Sequence, residues 1–200
     1  LSTDQKESAQ GVKRFFSEAQ AIARLNHPNI VRVRNIGEDS LGHFIVMEWI
    51  EGPNLDELIR EQGPMGLEDA LEVFHGVCLG VSYAHRHSVI HRDIKPHNIL
   101  VSVDGTPKIV DFGLARIGRE SVLSVSGVAV GTLAYMSTEQ RRDAKHCDHR
   151  SDIFALAKTF YYMLTGEIPD QTDPEAIPEQ VRAAVMRGMK PKPQDRYFSV

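Results

Sequence analysis

Residues 89–101 read VIHRDIKPHNILV. Val89 and Ile90 stand before, and Ile99, Leu100 and Val101 after, two histidines, an arginine, an aspartate, a lysine and an asparagine. Asp93 can accept a proton, Lys95 carries a compact positive charge and Asn98 offers a neutral oxygen. The apolar residues on either side are anchors that a core would bury, with the polar groups held between them.

A second carboxylate follows at Asp111, at the far end of NILVSVDGTPKIVD. Asp104-Gly105 between two apolar runs is a strong hairpin signal. A two-residue turn there pairs Val103 with Thr106, Ser102 with Pro107, Leu100 with Ile109 and, by continuation, Asn98 with Asp111. Pro107 then falls in a non-hydrogen-bonded pair, where it has no N–H to lose. Asn98 and Asp111 form another such pair, with Cα atoms about 4.5 Å apart and side chains on one face. An amide oxygen beside a carboxylate suits a hard cation such as Mg²⁺, which takes few protein ligands and keeps waters and substrate phosphates. Capping of strand ends by Asn and Asp is the competing reading.

The elements that position these groups follow from apolar spacing. Residues 8–25 carry Val12, Phe15, Phe16, Ala19, Ile22 and Ala23 at helical spacing, and Pro28 predicts a stop near Asn26. Ile30–Ile36 and His43–Ile50 read as strands around the turn-like GEDSLG, and EGPN as a hinge. A one-sided helix is expected over 67–85, a helix buried on most sides over 152–164, and another from Pro178 to Met189.

The chain of 200 residues is 42% hydrophobic and 25% charged, which predicts one domain or one and a half with a real core. A net charge of −4 gives no electrostatic case for a nucleic-acid or anionic-membrane partner. Cys78 and Cys147 imply no disulfide framework and fit a reducing compartment. No run approaches the roughly 18–20 apolar residues of a membrane span, and LSTDQKESAQ is neither a signal nor a transit peptide. Lacking an initiator Met, the chain is expected to be a fragment.

His91-Arg92-Asp93, Lys95 and Asn98, followed by Asp111-Phe112-Gly113, resemble the catalytic and metal-binding loops of protein kinases. FFSEAQAIARLNHPNIV resembles their regulatory helix and the strand after it. FIVMEWIEG is similar to the adenine-holding strand and hinge, GTLAYMSTEQ to the end of the activation segment, and RSDIFAL to the central helix. The flavour is that of eukaryotic-like bacterial serine/threonine kinases. The resemblance implies an α+β, bilobal kinase-like fold: a partial, strand-bearing N-terminal lobe at 1–50 and a mostly helical C-terminal lobe at 51–200.

It also implies roles. Asp93 would accept the substrate hydroxyl proton, Lys95 would neutralise the transferring phosphoryl group, and Asn98 and Asp111 would hold Mg²⁺, or Mn²⁺, on ATP. Lys95 with Thr132 resembles the Ser/Thr-specific subset. Glu18, which borders the apolar face of the first helix, would pair with a phosphate-gripping lysine; a surface pair with Arg14 is the alternative. Met47 matches the gatekeeper, Glu48 and Ile50 would offer backbone groups to adenine, Leu100 would form its floor and Asn54 would touch ribose. Phe112, His91, Ile22 and Val33 match a stacked apolar column, although ordinary core packing describes each equally well. Arg92 would dock a phosphorylated activation-loop residue, with Ser124 and Ser126 the candidates.

There are departures. No G-x-G-x-x-G loop and no V-A-x-K lysine occur, so the chain is expected to begin just after that lysine. Ser137-Thr138-Glu139 lacks the usual proline, though Glu139 could still pair with Arg196. The segment from Gly166 to Pro178 leaves little room for a substrate-docking helix. HCDH at 146–149 is too crowded for a zinc spacing, and Asp152 either caps the central helix or braces the catalytic loop. The expectation is phosphoryl transfer from ATP to Ser or Thr of protein substrates, in the cytoplasm, with activation-loop autophosphorylation that a homodimer would serve. A pseudokinase-type scaffold, or an inactive fragment, is the alternative.

Overall fold

The computed structural model describes residues 3–40, 42–112, 133–143 and 147–200. Helix α1 runs Thr3–Ala23, starting five residues before the apolar pattern and ending near the expected stop. Strands β1 (Val33–Asp39) and β2 (Gly42–Met47) pair antiparallel from Val33↔Met47 to Asp39↔Gly42, with an irregularity between Val33 and Asn35. They are displaced from the expected strands because the flanking residues serve other partners. Ile30 forms an isolated parallel bridge with Ile109, and the Val31 N–H donates to the Ile109 carbonyl at 2.9 Å. Trp49, beyond the end of β2, is 90% exposed.

Gly52 explains the hinge. Its φ is +146°, and a Cβ there would overlap the Val101 carbonyl oxygen. That close approach lets Val101 N–H donate to the Pro53 carbonyl (2.9 Å) and Val103 N–H to that of Glu51 (3.1 Å). Helix α2 (Leu55–Gln62) follows, with Asn54 and Glu57 forming a reciprocal capping box. Apolar spacing did not announce this helix; the N-x-x-E pattern was its signal.

Helices α3 (Leu67–Arg86) and α5 (Arg150–Thr165) form the heart of the larger part, with Phe74 stacked on Phe160 at 4.3 Å between centroids. Helix α5 is buried on nearly all faces, as its sequence predicts. The short helix α4 (Thr138–Arg142) precedes it. Helix α6 (Glu179–Gly188) packs on it, beginning one position after the expected start, with Pro178 as its N-cap. Between α5 and α6 lies only a 3₁₀ turn, Pro174–Ala176. Val77, Val81, Ile94, Ile99, Ile109 and Tyr161 join one continuous core, and burying each aliphatic side chain contributes about 1.5–3 kcal/mol.

The hairpin differs from expectation by one residue. Strands β3 (Ile99–Val101) and β4 (Pro107–Ile109) pair Ile99↔Ile109, Leu100↔Lys108 and Val101↔Pro107. The turn holds three residues, Val103-Asp104-Gly105, with Gly105 at φ +82°. The Asp104 carboxylate accepts from Ser102 Oγ (2.6 Å) and Thr106 N–H (3.1 Å), which favours the longer turn over a two-residue one. Pro107 keeps a non-hydrogen-bonded position, but opposite Val101. Asn98 faces Val110, whose N–H donates to the Asn98 carbonyl at 3.0 Å, and not Asp111. On register alone a one-residue slip would turn Asp111 to the other face. Asp111 has φ +61°, however, and this left-handed residue ends the strand alternation.

Candidate active site

The segment His91–Asn98 is irregular backbone held by a buried carboxylate on α5. Asp152, fully buried, accepts from His91 N–H (2.8 Å), Arg92 N–H (2.7 Å) and His85 Nε2 (2.8 Å). It therefore braces this loop and does not cap α5, whose N-cap position is His149; just before it, Asp148 Oδ1 accepts the Arg150 N–H at 2.9 Å. Arg92 sits at φ +65°, a strained conformation that persists because its surroundings over-determine it. Its carbonyl accepts from Gln140 Nε2 at 2.8 Å. Sequence reading missed Gln140, although S-x-x-Q at 137–140 is a capping-box signal.

His91 ties the loop to the segment before Phe112. Its Nε2 donates to the Val110 carbonyl (2.9 Å), and its Nδ1 accepts Asp93 N–H (3.2 Å). A carbonyl on one nitrogen and an N–H on the other fix the tautomer. The ring lies 4.5 Å from that of Phe112.

Lys95 Nζ is 2.9 Å from Asp93 Oδ2, and both side chains are only 18% exposed. Asn98, nearly buried, donates its Nδ2 to the Asp93 carbonyl (2.8 Å) and Oδ2 (3.2 Å). Two acceptors around the nitrogen fix the amide orientation. Among the described residues no donor reaches Asn98 Oδ1 or the exposed Asp111 carboxylate. An amide oxygen and a carboxylate without protein donors are the donor set that a hard divalent cation takes. The described residues contain no cluster of three or more His, Cys, Asp or Glu able to hold a metal; His146 of HCDH lies outside them.

Asp111 also borders a small, mainly apolar pocket lined by Ile22, Val31, Val33, Ile45, Met47 and Phe112. Glu18 is half-buried on α1. Glu48 N–H donates to the Arg32 carbonyl (2.9 Å), and its carboxylate accepts Arg32 N–H and Lys108 Nζ, each at 3.1 Å. Burial opposes ionisation of Glu48, but those donors outweigh it and hold its pKa below the usual value. The Glu48 carbonyl, like the N–H and C=O of Ile50, has no partner among the described residues. Asn54 Oδ1 is taken by the Glu57 N–H (3.0 Å). Leu100 bridges to Asn54 and is partly exposed. Thr132, Ser124 and Ser126 lie outside the described residues.

Below the loop, Ser137 is the N-cap of α4 and Thr138 occupies the first helical position, where proline is favoured but not required. The Thr138 hydroxyl donates to the Pro191 carbonyl at 2.6 Å. Glu139 and Arg196 form a two-pronged pair at 2.6 and 2.9 Å, and buried Arg196 also donates to the carbonyls of Lys190, Arg150 and Pro191. Burial works against the Glu139 carboxylate, yet Arg196 holds its pKa down.

A small antiparallel strand pair, a helical body and a braced polar loop carrying Asp93, Lys95 and Asn98 together make a kinase-like architecture. A family model described as "Protein kinase domain" matches residues 1–196, and the chain belongs to the protein kinase family. It is 44% identical over 160 residues to the serine/threonine-protein kinase PknL of Mycobacterium tuberculosis, covering 80% of this chain and 40% of that protein. It is 37% identical over 169 residues to PrkC of Bacillus subtilis, covering 84% of this chain and 26% of that protein. The chain thus spans less than half the length of these relatives. Among solved structures, Rad53 1-466 in complex with AMP-PNP matches with a TM-score of 0.75 and 26% identity, over 93% of this chain and 51% of that one. The kinase-like α+β fold and the kinship with bacterial serine/threonine kinases agree with the reading of the sequence. No helix among the described residues is long and apolar enough to cross a membrane.

Proposed function

We propose that this chain is catalytic material of a bacterial serine/threonine protein kinase, moving the γ-phosphoryl group of ATP to a protein hydroxyl. Residues 1–50 contribute the nucleotide-facing part and 51–200 the substrate-facing part, in the cytoplasm. Asp93 orients the hydroxyl and accepts its proton as the oxygen attacks phosphorus. Lys95, paired with Asp93, balances charge on the equatorial phosphoryl oxygens. Asn98 and Asp111 would hold Mg²⁺, or Mn²⁺, which when bound neutralises phosphate charge. The adenine would lie beside Met47, with the Glu48 carbonyl, the Ile50 backbone and Leu100 as its contacts and Asn54 near the ribose. Glu18 would position a phosphate-binding lysine. Thr132 would complete the hydroxyl site, and Arg92 would receive phosphorylated Ser124 or Ser126 after autophosphorylation in a transient homodimer.

One observation carries the reading: Asn98 turns its nitrogen to Asp93 and leaves its oxygen, like the Asp111 carboxylate, without a donor among the described residues. The test is transfer of radiolabel from ATP to a generic protein substrate by the full-length protein. Asp93→Asn should lower the rate by about 10²–10⁴-fold. Equal labelling by the two proteins would defeat the proposal.

A further inference from the structure

Asp56, on the first turn of α2, is 5% exposed, yet no motif of the kinase resemblance includes it. Three elements converge on its carboxylate. Tyr162 Oη, from α5, donates to Oδ1 at 3.0 Å. Arg60 Nε, one turn along α2, lies 3.0 Å from Oδ2. His97 Nε2, from the loop, lies 3.3 Å from the same oxygen. A buried carboxylate is costly to desolvate unless partners surround it, and here the partners are what connect α2 and α5 to the loop.

His97 is the middle residue of the 3₁₀ turn Pro96–Asn98. The turn is short and closed, with Asn98 N–H on the Lys95 carbonyl (2.9 Å) and φ restricted at Pro96. Its two neighbouring side chains are tethered to different groups: Asn98 by Nδ2 to Asp93, His97 by its ring to Asp56. Rotation of the turn would carry the Asn98 oxygen with it, and the His97–Asp56 contact opposes that rotation. We infer that Asp56 is a positioning residue for the Asn98 oxygen, acting through His97, with the consequence that divalent-metal affinity depends on a residue of α2 that touches no ligand.

This inference rests on the reading of Asn98 as a metal-holding residue. The experiment measures Mn²⁺·ATP binding by the full-length protein through water-proton relaxation, which needs no turnover, beside phosphotransfer and urea unfolding. Asp56→Asn and His97→Ala should raise half-saturating Mn²⁺ roughly ten-fold, the low end for outer partners of a metal ligand. His97→Gln, which keeps a donor in place, should bring it back close to wild type. Tyr162→Phe, which removes a donor from Asp56 without touching the turn, should lower stability and leave Mn²⁺ binding unchanged. Unchanged Mn²⁺ binding in Asp56→Asn and His97→Ala would overturn the inference. So would Mn²⁺ losses that simply track urea midpoints across all four variants. Wild-type protein that binds Mn²⁺·ATP without transferring phosphate would sink the phosphotransfer reading alone; wild type that binds no Mn²⁺·ATP would sink both.

Discussion

Asp152 and His91, 61 positions apart in sequence, are joined by a 2.8 Å hydrogen bond from the His91 backbone N–H to Asp152 Oδ2. The other oxygen takes the Arg92 N–H, so one side chain holds two consecutive peptides of an otherwise irregular loop. Removing it would strand both.

Asp152→Ala is therefore expected to cost roughly 2–6 kcal/mol, from two backbone donors left without acceptors at about 1–3 kcal/mol each. Asp152→Asn keeps one acceptor and should cost less. Urea unfolding midpoints check the order, and a smaller loss for Ala than for Asn would contradict the brace.

The Glu139–Arg196 pair predicts an acid-side stability loss. The folded pKa of Glu139 is lowered, so its contribution is present in full above the ordinary value of 4.5 and fades as pH falls through the depressed folded value. Glu139→Gln should flatten the stability profile in that window and leave the Arg196 guanidinium with weaker acceptors. Arg196→Ala should be worse, about 3–5 kcal/mol, because it strips a buried charge from its partners. Thermal melts between pH 3 and 7 measure both.

Asp111 occupies a left-handed conformation at φ +61° that suits glycine better than aspartate. Asp111→Gly should raise stability by roughly 1 kcal/mol as strain is relieved, while phosphotransfer is lost. A variant both less stable and fully active would contradict the view that strain is kept here for function.

Gly52→Ala places a Cβ against the Val101 carbonyl oxygen at φ +146°. The backbone conformation alone costs roughly 1–3 kcal/mol, and the overlap adds to it. Hydrogen exchange should show faster exchange at Val101 and Val103 N–H, which bond to Pro53 and Glu51.

How much was legible in the sequence differs between residues for physical reasons. Helices α3 and α5 were readable because apolar periodicity over many residues reports a buried face directly. The hairpin was readable as a hairpin, but its register was not. Asp104 can close a two- or a three-residue turn, and the choice depends on hydrogen bonds from Ser102 and Thr106. That choice moved Asn98 from Asp111 to Val110, and the left-handed backbone at Asp111 had no sequence mark.

The sequence by itself determined the order and spacing of Asp93, Lys95, Asn98 and Asp111, and with them the kinase family, because those groups lie within 19 consecutive residues. Only the tertiary structure decided that Asp152, Gln140 and Asp56 serve the same loop. Their contacts join residues more than 40 positions apart through buried hydrogen bonds and charges, and no local pattern encodes which distant donor a buried carboxylate or amide will meet.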